Sequence, residues 1–277
     1  MSIVELLKVL VFGIIEGFTE WLPISSTAHL MILDELIKLD VSPEFKTIFV
    51  TVIQVGAALA LLVLYFRKLN PFDSKKKPEQ KKATWRLWLK IAIACVPAAV
   101  LGFLVDDWVS AHMENGLIMS ITLIVFGIAF LVIERINRYK QPTITRLGRI
   151  DYMTAFYIGL FQVLALVPGT SRSGATILGA MLLGCSRSIS AEFSFFLGIP
   201  VILGASFLRI IKYGFAFSTA EIVYMVFGCL VAFIVSIYAV KFMMNWIKKN
   251  NYKIFGYYRI VLGCIILIWY TISNLLK

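Results

Sequence analysis

Residues 21–30 read WLPISSTAHL, and this stretch decides how the chain folds. Pro23 is followed by Ser25, Ser26 and Thr27, and apolar residues flank the cluster on both sides. Because proline ends a helix and a hydroxyl side chain begins the next one, we expect a helical hairpin that turns here. Such a break within an apolar stretch is tolerated in a membrane protein where it is buried in protein or lines a wet cavity.

The composition identifies an integral membrane protein. Of 277 residues, 60% are hydrophobic and 16% are charged, whereas about 25% are charged in soluble proteins. The first apolar run, from Ile3, contains Glu5 and Lys8 and is followed by no small-residue cleavage pattern, so we interpret it as retained structure. The formal charge of +11 is expected from basic cytoplasmic loops, and we predict no nucleic-acid partner.

Six apolar segments are long enough to cross a membrane. They are residues 45–66, 88–105, 116–134, 191–211, 220–241 and 255–275. The connections between them alternate in charge: residues 67–87 and 135–150 are basic, whereas residues 106–115 are acidic. Since basic loops accumulate in the cytoplasm, the alternation predicts which side of the membrane each loop occupies.

Two further apolar segments, residues 1–44 and 151–188, each contain a proline and a run of hydroxyl residues. The membrane side on which each span must start and end predicts that the second segment enters from the cytoplasm and returns there. Residues 13–30, GIIEGFTEWLPISSTAHL, are similar to residues 159–177, GLFQVLALVPGTSRSGATI. This similarity favours an external hairpin for the first segment, and three crossings follow each copy. A unit repeated after an odd number of crossings is inverted.

The sequence therefore predicts an all-α polytopic membrane protein with six spanning helices and two re-entrant helical hairpins, arranged as an inverted-topology repeat. Residues 1–277 form one domain. Repeat 1 covers about residues 1–134 and repeat 2 about residues 151–277, and the basic cytoplasmic loop 135–150 joins them.

The two hairpins predict a site for phosphate where two helix N-termini meet, because free N–H groups and a partial positive charge suit an anion. Arg172 adds a fork of donors that matches phosphate oxygens. A charge in the membrane core costs at least ~2.5 kcal/mol, which favours a functional role for it. The hydroxyl residues either bind phosphate or only cap the helices; they are Ser25, Ser26, Thr27, Ser171, Ser173 and Thr176.

Glu16 and Glu20 are four residues apart and share one face of the first hairpin's helix. Two such carboxylates could hold a divalent cation, or one could stay protonated and act as an acid. The alternative is an ion pair with Arg172 that only joins the hairpins. His29 follows the hydroxyl cluster and is a candidate general acid or base. We interpret three other polar groups in apolar runs as supports, namely Gln54, Gln162 and Glu192.

Four segments carry a family resemblance: EGFTEWLPISSTAHL, PGTSRSGATI, IQVGAALALLVLYFRK and AEFSFFLGIPVILGA. With these motifs the sequence closely resembles the bacterial undecaprenyl-diphosphate phosphatase family, which is linked to bacitracin resistance. The resemblance covers most of the chain. Trp21 and Ala28 stand where the family often has Phe and Gly, and both changes leave the polar residues intact.

The resemblance implies hydrolysis of undecaprenyl diphosphate to undecaprenyl phosphate and inorganic phosphate, which recycles the lipid carrier of cell-wall synthesis. It implies a divalent cation, Mg²⁺ or Ca²⁺, in an active site open to the periplasmic or external face of the bacterial plasma membrane. By motif position, Glu16 and Glu20 are the acidic pair, Ser26 the leading nucleophile candidate, His29 its proton partner and Arg172 the diphosphate clamp. Attack by water activated at the acidic pair stays open.

A transporter or flippase for a phosphorylated lipid or an anion is the alternative function, because inverted repeats with broken helices are also a transporter architecture. The motif resemblance favours the phosphatase. The expected partners are an isoprenyl diphosphate lipid and membrane lipids, and the sequence leaves a homodimer open.

Overall fold

The computed structural model describes residues 2–214 and 216–275, without the side chains of residues 106, 107 and 110. Within this range the chain is all-α and holds no β-strand. The helices are α1 (Ile3–Thr19), α2 (Ser26–Leu36), α3 (Pro43–Leu64), α4 (Phe66–Leu69), α5 (Pro78–Met113), α6 (Gly116–Ile136), α7 (Tyr152–Val163), α8 (Arg172–Leu182), α9 (Arg187–Tyr213), α10 (Thr219–Lys249) and α11 (Lys253–Leu275). Short 3₁₀ turns lie at Leu147–Arg149 and Leu164–Leu166.

Six of these helices are long and apolar enough to cross a membrane: α3, α5, α6, α9, α10 and α11. They confirm the six predicted spans. The two remaining apolar segments form helix–turn–helix units, α1 with α2 and α7 with α8. The re-entry of these hairpins into a membrane and their inverted relationship stay predictions.

One predicted boundary is wrong. The sequence places a span at residues 88–105 and a loop at residues 106–115, but α5 continues to Met113. No glycine or proline occurs between residues 103 and 115 to break the helix. The connection ends at Asn115, whose side chain accepts a hydrogen bond of 3.0 Å from the Ile118 N–H and caps α6. The span at 220–241 is likewise longer and reaches Lys249.

Each hairpin begins with a side-chain cap. Ser2 accepts a hydrogen bond of 3.2 Å from the Val4 N–H at the start of α1. Asp151 accepts one of 2.6 Å from the Thr154 N–H at the start of α7. The bond from the Thr154 backbone lowers the pKa of the Asp151 carboxyl. Both helices therefore start at a defined residue, although the caps differ in chemistry.

Each hairpin packs against a spanning helix of the other half of the chain. Helix α1 of the first half packs against α10 of the second, and α7 of the second half packs against α5 of the first. These are the same contact if the halves are matched in chain order, with α1 equivalent to α7 and α5 to α10. In addition, α3 packs against α9 and α6 against α11. Two repeats with the same helix order would produce this pairing, and the repeat itself stays a prediction.

Glycines bring each hairpin very close to its partner span. A Cβ added at Gly17 in α1 would lie 2.6 Å from the carbonyl oxygen of Ala232 in α10. Gly159 in α7 approaches the backbone of Ala94 in α5 so closely that no Cβ fits. Ser236 also donates a hydrogen bond of 2.9 Å to the Gly17 carbonyl. These close contacts hold the first helix of each hairpin against its partner span.

Candidate active site

The turns of the two hairpins meet at one cavity of about 130 Å³. The helices that follow the turns, α2 and α8, both begin at this cavity, as the sequence predicts. Helices α3 and α9 complete the wall. The polar lining residues are Glu20, Ser26, Thr27, Gln54, Ser171, Arg172 and Ser173. The cavity therefore collects most of the polar side chains that the sequence analysis selected.

Ser25 and Ser171 have the same unusual backbone conformation. Their φ angles are 72° and 69°, in the left-handed region that is strained for a residue other than glycine. Both side chains cap the helix that follows, through the N–H groups of Ala28 at 3.4 Å and Gly174 at 3.1 Å. The strain therefore recurs at equivalent positions of the two hairpins.

The next residue along each chain segment, Ser26 or Arg172, is the first of its helix. The backbone N–H groups of Ser26, Thr27, Arg172 and Ser173 have no acceptor within the described residues. Free N–H groups at helix N-termini bind anions, and the helix dipoles add partial positive charge. The cavity is therefore suited to a phosphate group approached by two helices.

Glu20 connects the two hairpins. Its Oε2 accepts a hydrogen bond of 2.8 Å from the Ser26 hydroxyl, and its Oε1 accepts one of 3.0 Å from Arg172 Nη2. The ion pair that the sequence analysis held as an alternative is thus present, with Glu20 and not with Glu16. Because Glu20 also contacts the hydroxyl of Ser26, the ion pair does not exclude a chemical role.

Arg172 is held on several sides. Nη1 donates a hydrogen bond of 2.9 Å to the Ser194 carbonyl, and the guanidinium lies over the Trp21 ring at 5.6 Å. A Cβ added at Gly198 would lie 2.6 Å from the guanidinium carbon, so a larger residue there would displace the Arg172 side chain. Nε has no partner within the described residues. The guanidinium is fixed in place, and three of its five N–H donors have no partner within the described residues.

Glu16 is fully buried, and neither of its carboxylate oxygens has a hydrogen-bond partner within the described residues. It lies one helical turn before Glu20, whose N–H bonds the Glu16 carbonyl at 3.0 Å. Burying an unpaired carboxylate costs free energy unless it is neutralised by a proton or a cation. The unpaired oxygens of Glu16 therefore fit either a protonated carboxyl beside Glu20 or a cation ligand.

No group of three or more His, Cys, Asp and Glu side chains in the described part of the chain could hold a metal ion. A cation at Glu16 and Glu20 would therefore need other oxygen ligands. This requirement fits Mg²⁺, which proteins usually bind through one or two carboxylates together with substrate phosphates and water.

The family of the chain is decided by comparison with known proteins. The family model described as "Bacitracin resistance protein BacA" matches residues 9–265. The chain belongs to this family. A protein from Enterococcus faecalis (strain ATCC 700802 / V583), named undecaprenyl-diphosphatase, is 54% identical over 99% of this chain and 100% of its own length. A protein of the same name from Desulfitobacterium hafniense is 50% identical over 100% of both chains.

These comparisons confirm the family resemblance that the sequence motifs indicate. In this member of the BacA family, His29 contacts residues other than Ser26, its predicted proton partner. Its Nδ1 is 2.7 Å from the Ser25 carbonyl oxygen and its Nε2 is 2.7 Å from the Tyr258 hydroxyl. The ring also stacks on that of Tyr258. Because both ring nitrogens are engaged elsewhere, the structure does not pair His29 with Ser26.

Two hydroxyl residues predicted to bind phosphate form hydrogen bonds that join parts of the fold. The buried Thr176 hydroxyl donates to the Arg172 carbonyl at 2.9 Å and lies 2.6 Å from the Ser194 hydroxyl, so it links α8 to α9. Thr176 does not belong to the cavity lining. Ser173 lines the cavity, but its hydroxyl donates to the carbonyls of Glu20 and Leu22 at 3.2 Å and 3.3 Å. Ser173 therefore joins the two hairpin turns.

The three polar residues interpreted as supports have different surroundings. Gln54 of α3 reaches the cavity wall. Gln162, which is equivalent to Glu16 in the second hairpin, is buried, and its amide atoms have no partner within the described residues. Glu192 forms an ion pair with Lys68. Of the three, Gln54 is therefore the one placed to contact a ligand in the cavity.

Arg259 of α11 was not among the site residues predicted from the sequence. This residue is fully buried, and its guanidinium donates hydrogen bonds to the carbonyls of Pro23, Gly169 and Thr170 at 3.1, 2.8 and 2.8 Å. It therefore touches both hairpin turns. The sequence contained a signal for Arg259, because it is an arginine inside an apolar span. The same property of Arg172 predicted a functional role for that residue.

Proposed function

We propose that the protein hydrolyses undecaprenyl diphosphate to undecaprenyl phosphate and inorganic phosphate. The observation that carries the proposal is the Ser26 hydroxyl, which is hydrogen-bonded to Glu20 between two helix N-termini and beside Arg172. The names of its close full-length relatives support the same activity. A site formed by two apolar hairpins also suits a substrate whose long tail stays in the bilayer.

The diphosphate binds by charge and by backbone donors. Arg172 and the residues with free N–H groups at the starts of α2 and α8 line the cavity, which in this proposal holds the two phosphates. Charge-assisted bonds from a guanidinium and from helix N-termini are stronger than those between neutral groups. They stabilise the negative charge that shifts between phosphate oxygens during transfer.

Ser26 is the nucleophile in this proposal. Its oxygen attacks the terminal phosphorus and its proton passes to Oε2 of Glu20, which already accepts the hydrogen bond at 2.8 Å. The bond from the terminal phosphorus to the bridging oxygen breaks, and undecaprenyl phosphate leaves with that oxygen. Water then attacks this phosphorus, gives one proton to the Ser26 oxygen as the bond from phosphorus to that oxygen breaks, and inorganic phosphate leaves. Direct attack by water is the alternative mechanism, and stereochemistry at phosphorus distinguishes the two.

A divalent cation, Mg²⁺ or Ca²⁺, belongs to the same proposal. Glu16 and Glu20 would hold it, because Glu16 is buried with both carboxylate oxygens unpaired within the described residues. The cation would supply positive charge to the diphosphate oxygens. The polypeptide contributes the carboxylates, Arg172 and the N–H groups that orient the phosphates.

The protein is a multi-pass membrane protein with six helices able to span the bilayer. We place it in the bacterial plasma membrane, with the active site open to the periplasmic or external face. A transporter for a phosphorylated lipid was the competing function. The Ser26–Glu20 hydrogen bond favours hydrolysis, because transport of a phosphate group requires no activated hydroxyl.

The test is phosphate release by the purified protein in detergent. Undecaprenyl diphosphate should yield inorganic phosphate at a rate proportional to protein concentration, and Arg172→Ala protein should serve as the inactive control. Binding of the lipid by the wild-type protein without phosphate release would reject hydrolysis and favour the transporter.

A further inference from the structure

Arg259 occupies an unusual place for a charged residue. It lies in the spanning helix α11, is 0% exposed and has no carboxylate within ion-pair distance among the described residues. A charge inside a span is costly to insert, so its interactions must offset that cost. Its guanidinium N–H groups instead donate hydrogen bonds to three backbone carbonyls, one in the first hairpin turn and two in the second.

Two of these carbonyls lie directly before strained backbone. Ser171 has a φ of 69°, which is strained for a residue other than glycine, and Arg259 binds the carbonyls of Gly169 and Thr170, the two residues before it. Strained conformations persist only where surrounding contacts hold them. The bond from Nη1 to the Pro23 carbonyl at 3.1 Å holds the other turn from the same side chain. One guanidinium therefore sets the positions of both turns.

The orientation of one peptide group follows from these bonds. All described peptide bonds are trans, so the N–H of each residue points away from the preceding carbonyl. Two of the three peptide groups held by Arg259 use that N–H locally: Thr170 N–H binds the Val167 carbonyl and Ile24 N–H binds the Leu22 carbonyl.

The third peptide group differs. The Thr170 carbonyl accepts from Arg259, and the Ser171 N–H on its opposite side has no acceptor within the described residues. Ser171 lines the cavity between the hairpins. The hydrogen bond from Arg259 therefore orients this peptide group. The free Ser171 N–H points away from the guanidinium, at the start of α8.

From this geometry we infer that Arg259 is a positioning residue for catalysis, which holds the Ser171 N–H as a hydrogen-bond donor for the phosphoryl group that is transferred. The inference rests on the proposed phosphatase function. A donor aimed at the transferring group acts mainly in the transition state, and its loss lowers kcat more than it raises KM. Arg259 itself does not touch the substrate.

The test compares Arg259→Lys and Arg259→Ala with the wild-type protein, using phosphate release from undecaprenyl diphosphate. The ammonium of lysine cannot reach three carbonyls in the plane that a guanidinium spans. We expect kcat to fall at least tenfold for Arg259→Lys, with KM within threefold of the wild type. Added guanidinium salt should restore part of kcat to Arg259→Ala, whereas equal sodium salt should not. Tyr257→Phe, on an exposed part of the same helix, is the control.

Thermal unfolding of each detergent-purified variant completes the test. An unchanged kcat in Arg259→Lys, or an increase of KM alone, would overturn the inference. Failure of both variants to fold would assign Arg259 to stability and would overturn it as well. If the wild-type protein itself releases no phosphate, the proposed function fails instead, so the two failures are distinguishable.

Discussion

Ser26 donates its hydroxyl hydrogen bond to Oε2 of Glu20 at 2.8 Å, across the turn of the first hairpin. The other oxygen of the same carboxylate forms an ion pair of 3.0 Å with Arg172 from the second hairpin. A base is therefore in contact with the candidate nucleophile, and the same base is linked to the candidate phosphate clamp. The arrangement needs no histidine beside Ser26, which agrees with the engagement of His29 by Ser25 and Tyr258.

Ser26→Ala should lower kcat by several orders of magnitude if Ser26 is the nucleophile. Loss of one ordinary hydrogen bond would cost only about 1–2 kcal/mol. Ser25→Ala and Thr27→Ala are the controls, and replacement of the Ser25 helix cap should cost about 0.5–2 kcal/mol of stability. Steady-state phosphate release measures kcat, and a chiral, isotopically labelled terminal phosphate should keep its configuration. Inversion together with a modest Ser26→Ala defect would assign the attack to water.

Arg172→Lys should reduce turnover at least tenfold, which corresponds to roughly 1.4 kcal/mol of transition-state stabilisation. The lysine ammonium cannot bind Glu20, the Ser194 carbonyl and a phosphate oxygen in one plane as the guanidinium can. Phosphate release and thermal unfolding should be measured together, with Arg138→Lys as a control in the basic segment after α6. Near-wild-type turnover of Arg172→Lys protein would remove Arg172 from the site.

Gly198→Ala should reduce turnover by roughly 10- to 100-fold, because a misplacement of about 1 Å at a catalytic group has effects of this size. The new Cβ would lie 2.6 Å from three atoms of the Arg172 guanidinium and would displace it. The helix should remain folded, since alanine is favoured over glycine by about 1 kcal/mol.

Gly204→Ala is the matched control for this substitution. It lies in the same helix, and a Cβ at Gly204 would meet no atom within 4 Å. Equal activities of the two variants would show that Gly198 does not position the Arg172 side chain.

Removal of divalent cations with a chelator should abolish phosphate release, and added Mg²⁺ or Ca²⁺ should restore it. Glu16→Gln keeps the shape of the side chain but removes the charge that binds a cation. We expect the Mg²⁺ concentration for half-maximal activity to rise at least tenfold in this variant. Gln162→Glu in the second hairpin is a control for a carboxylate at the equivalent position. Full activity of the wild-type protein in excess chelator would exclude the cation.

Cysteine labelling should determine which side of the membrane each loop faces. In a variant without the four native cysteines, Lys75→Cys lies in the basic segment before α5 and Ala111→Cys near its other end. An impermeant thiol reagent applied to intact cells should label residue 111 and leave residue 75 protected. The reverse pattern would place the acidic end of α5 in the cytoplasm and invert the orientation.

Local sequence signals were sufficient for the helices and for part of the site. Apolar length predicts the six spans, and the proline and hydroxyl clusters predict that α2 and α8 begin at one place. The charge of Arg172 in an apolar segment and the four-residue spacing of Glu16 and Glu20 identify candidate site residues. These properties depend on neighbours within a few turns, so the sequence carries them directly.

Tertiary packing decided which of these side chains meet. Glu20 and Arg172, which lie 152 positions apart, are joined by an ion pair, whereas His29 is drawn to Tyr258 and Thr176 to Ser194. A hydroxyl or an imidazole binds whichever partner the neighbouring helix presents, and that partner depends on the face each helix buries. Arg259 illustrates the limit, because its charge is visible in the sequence while its three carbonyl partners exist only once both hairpin turns pack against α11.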